Sequence, residues 1–293
     1  MTELKNDQLA IRIAEKGAEL ISIINLDSGW EYMWTADPSY WNRHSPVLFP
    51  IVGSIWDGKF RVDGSEYSMS QHGFARDSEF ELIEKTTESV FYRLTSNPET
   101  KQNYPFDFIL EIGYKLSGKT IEVIWRVKNE SDRWIYFQIG AHPGFCYPGF
   151  DPSEEIKGYL LLDTKDNRFQ YSLIGEKGCL SKEKPLTMEL DNHLLPVKTD
   201  SFDKDALIIE NRQISKVSLL DKNKSPYLTV RFDAPVLGLW SPPHKKAPFI
   251  CIEPWYGRCD STGYQGEFKD KDWIQRLQSG AVFEASYFID IDC

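Results

Sequence analysis

Two adjacent segments in which every second side chain is apolar constrain the fold of this chain more than any other feature. Every second residue is apolar from Phe108 to Leu116, and the same holds from Ile121 to Val127. Since successive side chains of a β-strand point to opposite faces, this spacing predicts two strands, each buried on one face. Ser117-Gly118 stands between them and is typical of a turn, so the segments predict a β-hairpin.

Similar short segments recur about every ten residues along the chain, a spacing that favours an all-β sandwich or barrel. Asp63-Gly64 predicts a second tight hairpin. Asp270–Gln278 is the only segment that favours a helix, and residues 176–201 favour a long loop that carries short elements. Because the 293 residues contain no linker or repeat, we expect one all-β domain over residues 1–293. Further strands are predicted at Leu9–Ile13, Leu20–Asn25, Trp30–Trp34, Glu79–Glu84, Val90–Thr95, Trp134–Ile139, Gly158–Leu162, Ala206–Ile209, Val217–Leu220, Tyr227–Phe232, Val236–Trp240, Pro248–Glu253 and Ala281–Ile291.

Composition argues against several classes of partner. The net charge of −10 does not suit nucleic acid, which needs a basic face to displace counterions. No segment approaches the roughly 18 apolar residues of a membrane-spanning helix, and the N-terminus lacks the apolar core of a signal peptide. The five cysteines are an odd number without Cys-x-x-Cys spacing, which argues against a disulfide framework or a zinc site. We therefore expect a cytoplasmic protein.

Residues 113–120 match the letters of a phosphate-binding P-loop but not its structural context. A P-loop needs a strand that ends at the glycines and a helix that begins behind them. Here Tyr114 and Leu116 continue the alternation of one predicted strand, and Ile121 begins the next. Ser117-Gly118 is therefore better explained as the turn of the hairpin, and nucleotide binding is not predicted.

Two of the five histidines differ from the others in their surroundings. His72 and His142 each stand where a predicted strand gives way to a loop, which is where sheets usually display functional groups. His193 and His244 lie in polar turns and are expected to be solvated, while the setting of His44 is ambiguous. A single histidine is more often a hydrogen-bonded packing residue, but two beside a buried carboxylate could transfer protons.

Glu253 is the carboxylate with the most suggestive setting. It closes an apolar strand and is followed by Pro254 and Trp255. A carboxylate packed against such residues loses hydration, which raises its pKa towards neutrality. Together with a histidine it could move protons at two oxygens of one small molecule. The alternative is an ordinary salt bridge, for example with Arg258.

Arg76 and Asp205 are candidates for holding a ligand. Arg76 either pairs with Asp77 or forks onto a pair of hydroxyls or a phosphate. Asp205 either accepts hydrogen bonds from sugar hydroxyls or stabilises a turn. Metal binding would require ligands that are far apart in sequence, and no His-x-His or His-Glu-x-x-His spacing supports it, so neither a metal nor a cofactor is predicted.

Seven segments, taken together, resemble the aldose 1-epimerase (galactose mutarotase-like) family, and most of all its bacterial branch associated with lactose operons. Each segment is weak alone, but their order and composition are specific and extend over nearly the whole chain. The segments are Gly17-Ala18-Glu19-Leu20, Leu48-Phe49-Pro50-Ile51-Val52-Gly53, Gln71-His72-Gly73-Phe74-Ala75-Arg76-Asp77, Gly140-Ala141-His142-Pro143-Gly144-Phe145, Asp205-Ala206-Leu207, Leu239-Trp240-Ser241-Pro242 and Cys251-Ile252-Glu253-Pro254-Trp255.

The resemblance implies a large single-domain antiparallel β-sandwich with few short helices, an open cleft, and no metal or cofactor. It implies interconversion of the α and β anomers of a free aldohexose, such as galactose or glucose. Glu253 matches the family's base and His142 its acid. The positions that match substrate contacts are His72, Arg76, Asp205 and Trp240. Relatives carry an arginine where this chain has Ser54, which affects the choice of substrate.

Three alternatives to this function remain at the level of sequence. The chain could be a carbohydrate-binding or regulatory protein without turnover, or a mutarotase of hexose 6-phosphates. A glycoside-processing enzyme would require two carboxylates across the scissile bond, and Glu253 has no equally suggestive partner. The expected partner in each case is a small-molecule sugar, bound by a monomer or homodimer.

Overall fold

A computed structural model describes residues 1–292 and shows an all-β chain with antiparallel sheets of nine, eight, three, two and two strands. Within these residues there is one α-helix, α1 (Pro98–Asn103), and there are 3-10 turns at Trp56–Gly58, Ala75–Asp77, Glu176–Gly178 and Phe268–Asp270. The strands are β1 (Thr2–Lys5), β2 (Leu9–Ile13), β3 (Leu20–Asn25), β4 (Val47–Leu48), β5 (Lys59–Val62), β6 (Ser65–Ser68), β7 (Glu81–Lys85), β8 (Ser89–Thr95), β9 (Phe108–Ser117), β10 (Thr120–Asn129), β11 (Ile135–Phe137), β12 (Ile139–Ala141), β13 (Gly144–Cys146), β14 (Ile156–Leu162), β15 (Arg168–Leu173), β16 (Leu186–Glu189), β17 (Leu194–Lys198), β18 (Leu207–Ile209), β19 (Lys216–Leu220), β20 (Pro226–Phe232), β21 (Val236–Trp240), β22 (Phe249–Tyr256), β23 (Gln275–Leu277) and β24 (Val282–Ile291).

The nine-stranded sheet contains the hairpin that the alternating segments predict. β9 and β10 pair in antiparallel register from Thr120 opposite Ser117 to Asn129 opposite Phe108. The sheet continues outward in the order β17-β14-β19-β20-β24-β10-β9-β8-β7. The P-loop letters therefore lie on the end of β9 and in its turn, as the strand pattern predicts.

The eight-stranded sheet packs against the first and forms the other layer of a β-sandwich. Its strands follow the order β16-β15-β18-β21-β22-β12-β4, and β13 also pairs with β22. Ile250 and Ile252 of β22 are fully buried and share one hydrophobic core with Ile112 and Val123 of the nine-stranded sheet. Because side chains alternate along a strand, Cys251 and Glu253 lie on the other face of β22. That outer face carries the cavity described below.

Two predictions about secondary structure are wrong. Asp270–Gln278 is not a helix: the chain makes a 3-10 turn at Phe268–Asp270 and then forms β23, which pairs with β11. Trp273 has a positive φ of 58°, which a right-handed helix does not allow. Trp30–Trp34 is not a continuous strand, since it contains only isolated bridges at Glu31 and Met33.

No helix among residues 1–292 is long and apolar enough to cross a membrane.

Candidate active site

A cavity of 270 Å³ lies on the outer face of the eight-stranded sheet. Its volume is close to the lower end of the roughly 300–1,000 Å³ that small-molecule sites occupy, which suits a ligand the size of one sugar ring. All six residues singled out in the sequence line it: His72, Arg76, His142, Asp205, Trp240 and Glu253. They come from segments as far apart as 181 residues in the chain, counting from His72 to Glu253 (253 − 72).

His142 and Glu253 form the floor of the cavity. Glu253 is placed there by the alternation of β22, and His142 follows directly after β12, the neighbouring strand of the same sheet. His142 Nε2 lies 3.3 Å from Glu253 Oε2, and the two side chains are 10% and 1% exposed. The salt bridge from Glu253 to Arg258, considered as the alternative, is not formed, because Arg258 pairs with Glu210 and Asp272 instead.

Burial favours the uncharged form of both groups. It raises the pKa of the Glu253 carboxyl well above the ordinary value, and the nearby Asp205 carboxylate raises it further. Burial also lowers the pKa of His142 to about 3. The pair therefore holds one proton in total over a wide range of pH, since losing it would leave a buried carboxylate and gaining another would leave a buried imidazolium.

Two polar atoms of this pair are buried without a hydrogen-bond partner. Among the described residues, neither His142 Nδ1 nor Glu253 Oε2 makes a hydrogen bond. Buried polar atoms are nearly always paired in folded proteins, and leaving one unpaired costs roughly 1–3 kcal/mol. Such atoms at the floor of a cavity are typical of a binding site.

His72 is held as a neutral hydrogen-bond donor. Its Nδ1 accepts a hydrogen bond of 3.1 Å from the Gly53 amide, so the ring proton of the neutral imidazole lies on Nε2. Burial, followed by the positive potential of His142, keeps its pKa well below the ordinary value. The backbone at His72 has a φ of 65°, and a side chain on the next residue, Gly73, would overlap the Phe49 carbonyl. The tight turn that presents the imidazole therefore depends on glycine.

Arg76 combines features of both interpretations made from the sequence. Its Nε lies 3.7 Å from Asp77 Oδ2, but Asp77 makes its hydrogen bond, of 2.8 Å, to Arg43. The Arg76 guanidinium donates to the Gln71 carbonyl at 2.7 Å, and its Nε is buried without a hydrogen-bond partner in the described part of the chain. Burial and the charge of Arg43 lower the pKa of Arg76 to about 10, so it remains a cation at neutral pH.

Asp205 and Trp240 line the side of the cavity. Asp205 has a φ of 72° and accepts a hydrogen bond of 2.8 Å from the Ala206 amide, so the turn role considered for it is present as well. Trp240 lies with its ring centroid 5.3 Å from that of His142, in a nearly perpendicular arrangement. An indole wall beside polar groups is suited to the apolar face of a sugar ring.

Trp41 is a cavity residue that reasoning from the sequence did not identify. Its ring stacks on the His142 imidazole with a centroid distance of 4.7 Å and an interplanar angle of 29°. It follows the turn residues Asp37 and Pro38, a signal of an exposed loop that gives no indication of which strand the loop covers. Only the folded arrangement shows that Trp41 and Trp240 enclose the imidazole.

Ser54 stands where the resemblance leads one to expect an arginine. A side chain added to Gly178, in the turn Glu176–Gly178, would lie only 2.6 Å from Ser54 Oγ. Gly178 itself lines the cavity. The space beside residue 54 is thus filled by this turn, and among residues 1–292 the cationic side chain that lines the cavity is Arg76.

Solved structures with this architecture define the class of fold. A galactose mutarotase-like protein from Lactobacillus casei ATCC 334 is 31% identical, covers 100% of both chains and superimposes with a TM-score of 0.92. A galactose mutarotase related enzyme from Lactobacillus acidophilus is 32% identical over 100% of this chain and 97% of its own, with a TM-score of 0.91. The fold is therefore a galactose mutarotase-like β-sandwich.

Sequence comparison gives the family within that class. A profile of the aldose 1-epimerase family matches residues 1–269. Protein LacX from a plasmid of Lactococcus lactis subsp. lactis is 32% identical, with 99% of this chain and 98% of its own covered. The chain belongs to the aldose 1-epimerase family, as its sequence segments predict.

Proposed function

We propose that the protein interconverts the α and β anomers of an aldohexose by general acid and base catalysis. The observation that carries this proposal is the contact of 3.3 Å between His142 Nε2 and Glu253 Oε2 at the floor of a cavity large enough for one sugar ring. Mutarotation requires a proton to leave the C1 hydroxyl and another to reach the ring oxygen, O5. A buried acid and base in contact can serve two oxygens bonded to the same carbon.

The roles implied by the family resemblance give a balanced reaction. With the shared proton on His142, the Glu253 carboxylate removes the proton of the C1 hydroxyl. The C1–O5 bond breaks as C1 becomes an aldehyde, and O5 takes the proton of the imidazolium. Both side chains are then neutral, which is the state that burial favours.

Ring closure returns both protons. After rotation about the C1–C2 bond, the O5 hydroxyl attacks the opposite face of the aldehyde and gives its proton to His142. The new C1 oxygen takes its proton from Glu253. The active site regains its starting state, so the cycle consumes neither proton nor cofactor, and the product differs only in configuration at C1.

The other cavity residues hold the sugar in the geometry this reaction needs. The His72 Nε2–H, the Arg76 guanidinium and the Asp205 carboxylate supply donors and acceptors for hydroxyls. Trp41 and Trp240 enclose the imidazole and exclude water from it. Such positioning turns an encounter between sugar and catalyst into a unimolecular step.

The proposal is tested by following a freshly dissolved α-anomer by polarimetry or NMR with Glu253→Gln and His142→Ala. General acid or base groups typically contribute 10²–10⁴-fold, so each variant is expected to lose a factor in that range above the uncatalysed rate. His244→Ala serves as the control, because its side chain is 72% exposed and does not line the cavity. Catalysis undiminished in both cavity variants would refute the mechanism. Calorimetric sugar binding without any acceleration by the unaltered protein would favour a binding protein.

A phosphorylated hexose is a second candidate substrate, favoured by one observation. Arg76 and Arg43 lie close enough for the charge of Arg43 to lower the pKa of Arg76, and the buried Nε of Arg76 has no hydrogen-bond partner among residues 1–292. Paired guanidinium groups are suited to phosphate. Comparing kcat/KM for a free hexose and its 6-phosphate decides between the candidates, and a lower value for the phosphate would exclude it as the preferred substrate.

A further inference from the structure

Cys251 has a place in the site that the proposed reaction does not use. It lies two residues before Glu253 on the same face of β22, and its side chain is fully buried. Its cross-strand neighbours are Gly144 on β13 and Trp240 on β21.

The thiol completes a three-residue cluster with the catalytic pair. The closest nitrogen of His142, the Sγ of Cys251 and an oxygen of Glu253 all lie within 4.8 Å of one another, and all three residues are buried. Tetrahedral zinc has bond lengths of about 2.0–2.3 Å, which separate adjacent ligand atoms by roughly 3.3–3.6 Å. The 3.3 Å between His142 Nε2 and Glu253 Oε2 already matches this separation.

The unpartnered atoms of the site strengthen this interpretation. Glu253 Oε2 is buried and makes no hydrogen bond within the described chain, and Glu253 is 1% exposed. Glu253 Oε2 is therefore an acceptor that faces the cluster and is available to coordinate an ion. Thiolate and imidazole together favour zinc and similar divalent ions over calcium or magnesium, which prefer oxygen ligands.

We propose that His142, Cys251 and Glu253 form a binding site for a divalent ion of the zinc type, and that the ion competes with the sugar for the acid and base. The ion binds Nε2 of His142, Sγ of Cys251 and Oε2 of Glu253, and its fourth position faces the cavity. On binding, the Cys251 thiol releases its proton to solvent. The proton shared by His142 and Glu253 is also released to solvent. The metal site is independent of the enzymatic activity, whereas the inhibition rests on the proposed function.

Charges around the cluster set a limit on affinity. Asp205 lines the same cavity and favours a cation, while Arg76 on the other side opposes one. Two of the three ligands are also anionic when the ion is bound, so the cluster neutralises a divalent ion by itself. We therefore expect binding that is reversible by a chelator.

Cobalt(II) is the probe that tests the metal site without any assay of activity. Titration of the full-length protein is expected to produce a thiolate-to-cobalt charge-transfer absorption in the near ultraviolet, together with the visible bands of a tetrahedral ion. Both should disappear on addition of one equivalent of zinc. The charge-transfer band should be lost in Cys251→Ala and Cys251→Ser, two variants with different side-chain volumes.

Cys146→Ala is the matched control for these variants. Cys146 is a neighbouring half-buried thiol on β13, and it donates to the Met33 carbonyl instead of facing the cluster. Its removal should leave the absorption intact. No charge-transfer band in the unaltered protein, or a band that survives in both Cys251 variants, would overturn the proposed site.

Inhibition is measured separately, as the ratio of mutarotation rates with and without zinc for each protein. Zinc is expected to slow the unaltered protein and the Cys146→Ala variant, and a chelator should restore the rate. The zinc concentration for half inhibition should rise in Cys251→Ser by more than the roughly 10–100-fold that loss of an outer-shell partner costs. If the cobalt band appears but zinc does not compete with the sugar, the proposed inhibition is refuted while the metal site is retained. Absence of catalysis in metal-free protein would refute the proposed function alone.

Discussion

Two groups of buried ionisable side chains differ in how fully they are paired. Within residues 1–292, Glu253 and His142 leave two buried polar atoms without hydrogen-bond partners. A few residues later, Lys271 pairs with Asp260, and both side chains are only 3% exposed. Asp260 also accepts a hydrogen bond of 2.9 Å from the Trp56 amide. The paired group is complete as it stands, whereas the cavity pair has capacity left for a ligand.

The same contrast extends to Arg258. Its guanidinium is 7% exposed and pairs with Glu210 and Asp272, and it donates to the Cys259 carbonyl at 2.9 Å. These contacts fix residues 258–260 behind the cavity, which Cys259 lines. Burial of a charge is therefore not by itself evidence of function. An unpaired polar atom that faces a cavity distinguishes the functional group from the structural one.

The largest expected effect comes from breaking the complete group. Asp260→Ala or Lys271→Ala leaves the other charge buried and alone, which typically costs 3–5 kcal/mol of stability. Urea denaturation should show this loss. In Glu253→Gln, a neutral amide replaces a carboxyl whose neutral form burial favours by raising its pKa, so the free energy of unfolding should change by less than about 1 kcal/mol. Equal destabilisation by Asp260→Ala and Glu253→Gln would remove the distinction between the groups.

A smaller effect is expected from Arg76→Gln. Among the described residues, the guanidinium makes one hydrogen bond, to the Gln71 carbonyl, and its remaining donors are proposed to bind the sugar. Loss of a charge-assisted hydrogen bond costs about 1.5–3 kcal/mol, so KM should rise by roughly 10–100-fold with little change in kcat. Steady-state rates over a range of sugar concentrations test this. A fall in kcat at unchanged KM would instead place Arg76 in the chemical step.

Trp41→Leu should have a still smaller effect. The variant removes the stacking of the indole on His142 and keeps an apolar side chain in its place. Aromatic pairs contribute about 0.5–1.5 kcal/mol beyond the area they bury, which corresponds to roughly a 2–10-fold loss of kcat/KM. Trp134→Leu is the matched control, since Trp134 is 46% exposed and does not line the cavity. A similar loss in both variants would contradict a specific role of the stacking.

The smallest expected effect is that of pH. The pair keeps one proton from the lowered pKa of His142, about 3, up to the raised pKa of Glu253. The catalysed rate should fall at low pH, when the pair gains a second proton and His142 becomes an imidazolium. It should also fall at high pH, when Glu253 loses the shared proton. Across pH ~6.5, where an ordinary histidine titrates, it should stay constant after subtraction of the uncatalysed rate. A step in the rate at this pH would show that His142 titrates independently of Glu253.

Local patterns in the sequence predicted the strands and turns that depend on residues close together in the chain. The alternation in β9 and β10 predicted both strands and their turn, and Asp63-Gly64 predicted the hairpin of β5 and β6. α1 was missed, although Asn97 and Pro98 mark its start and Asn97 caps it through the Thr100 amide. Six residues are too few for a hydrophobic period to reveal a helix.

Features that depend on contacts between distant segments could not be predicted. The helix expected at Asp270–Gln278 fails because Lys271 turns inward to Asp260, and β23 pairs with a strand about 140 residues earlier in the chain. In the site, the resemblance identified cavity residues by their segments. It did not show that Trp41 covers His142 or that Cys251 lies close to His142, since those contacts join different strands and loops.

Ser54 and Gly178 have a consequence for how relatives of this protein can diverge. An arginine at position 54 would need the space that the turn Glu176–Gly178 occupies, because even a methyl group on Gly178 would collide with the serine hydroxyl. The φ of 72° at Gly178 separately disfavours any larger residue there. The two positions are therefore linked in this chain: placing an arginine at position 54 would require the turn at Gly178 to move.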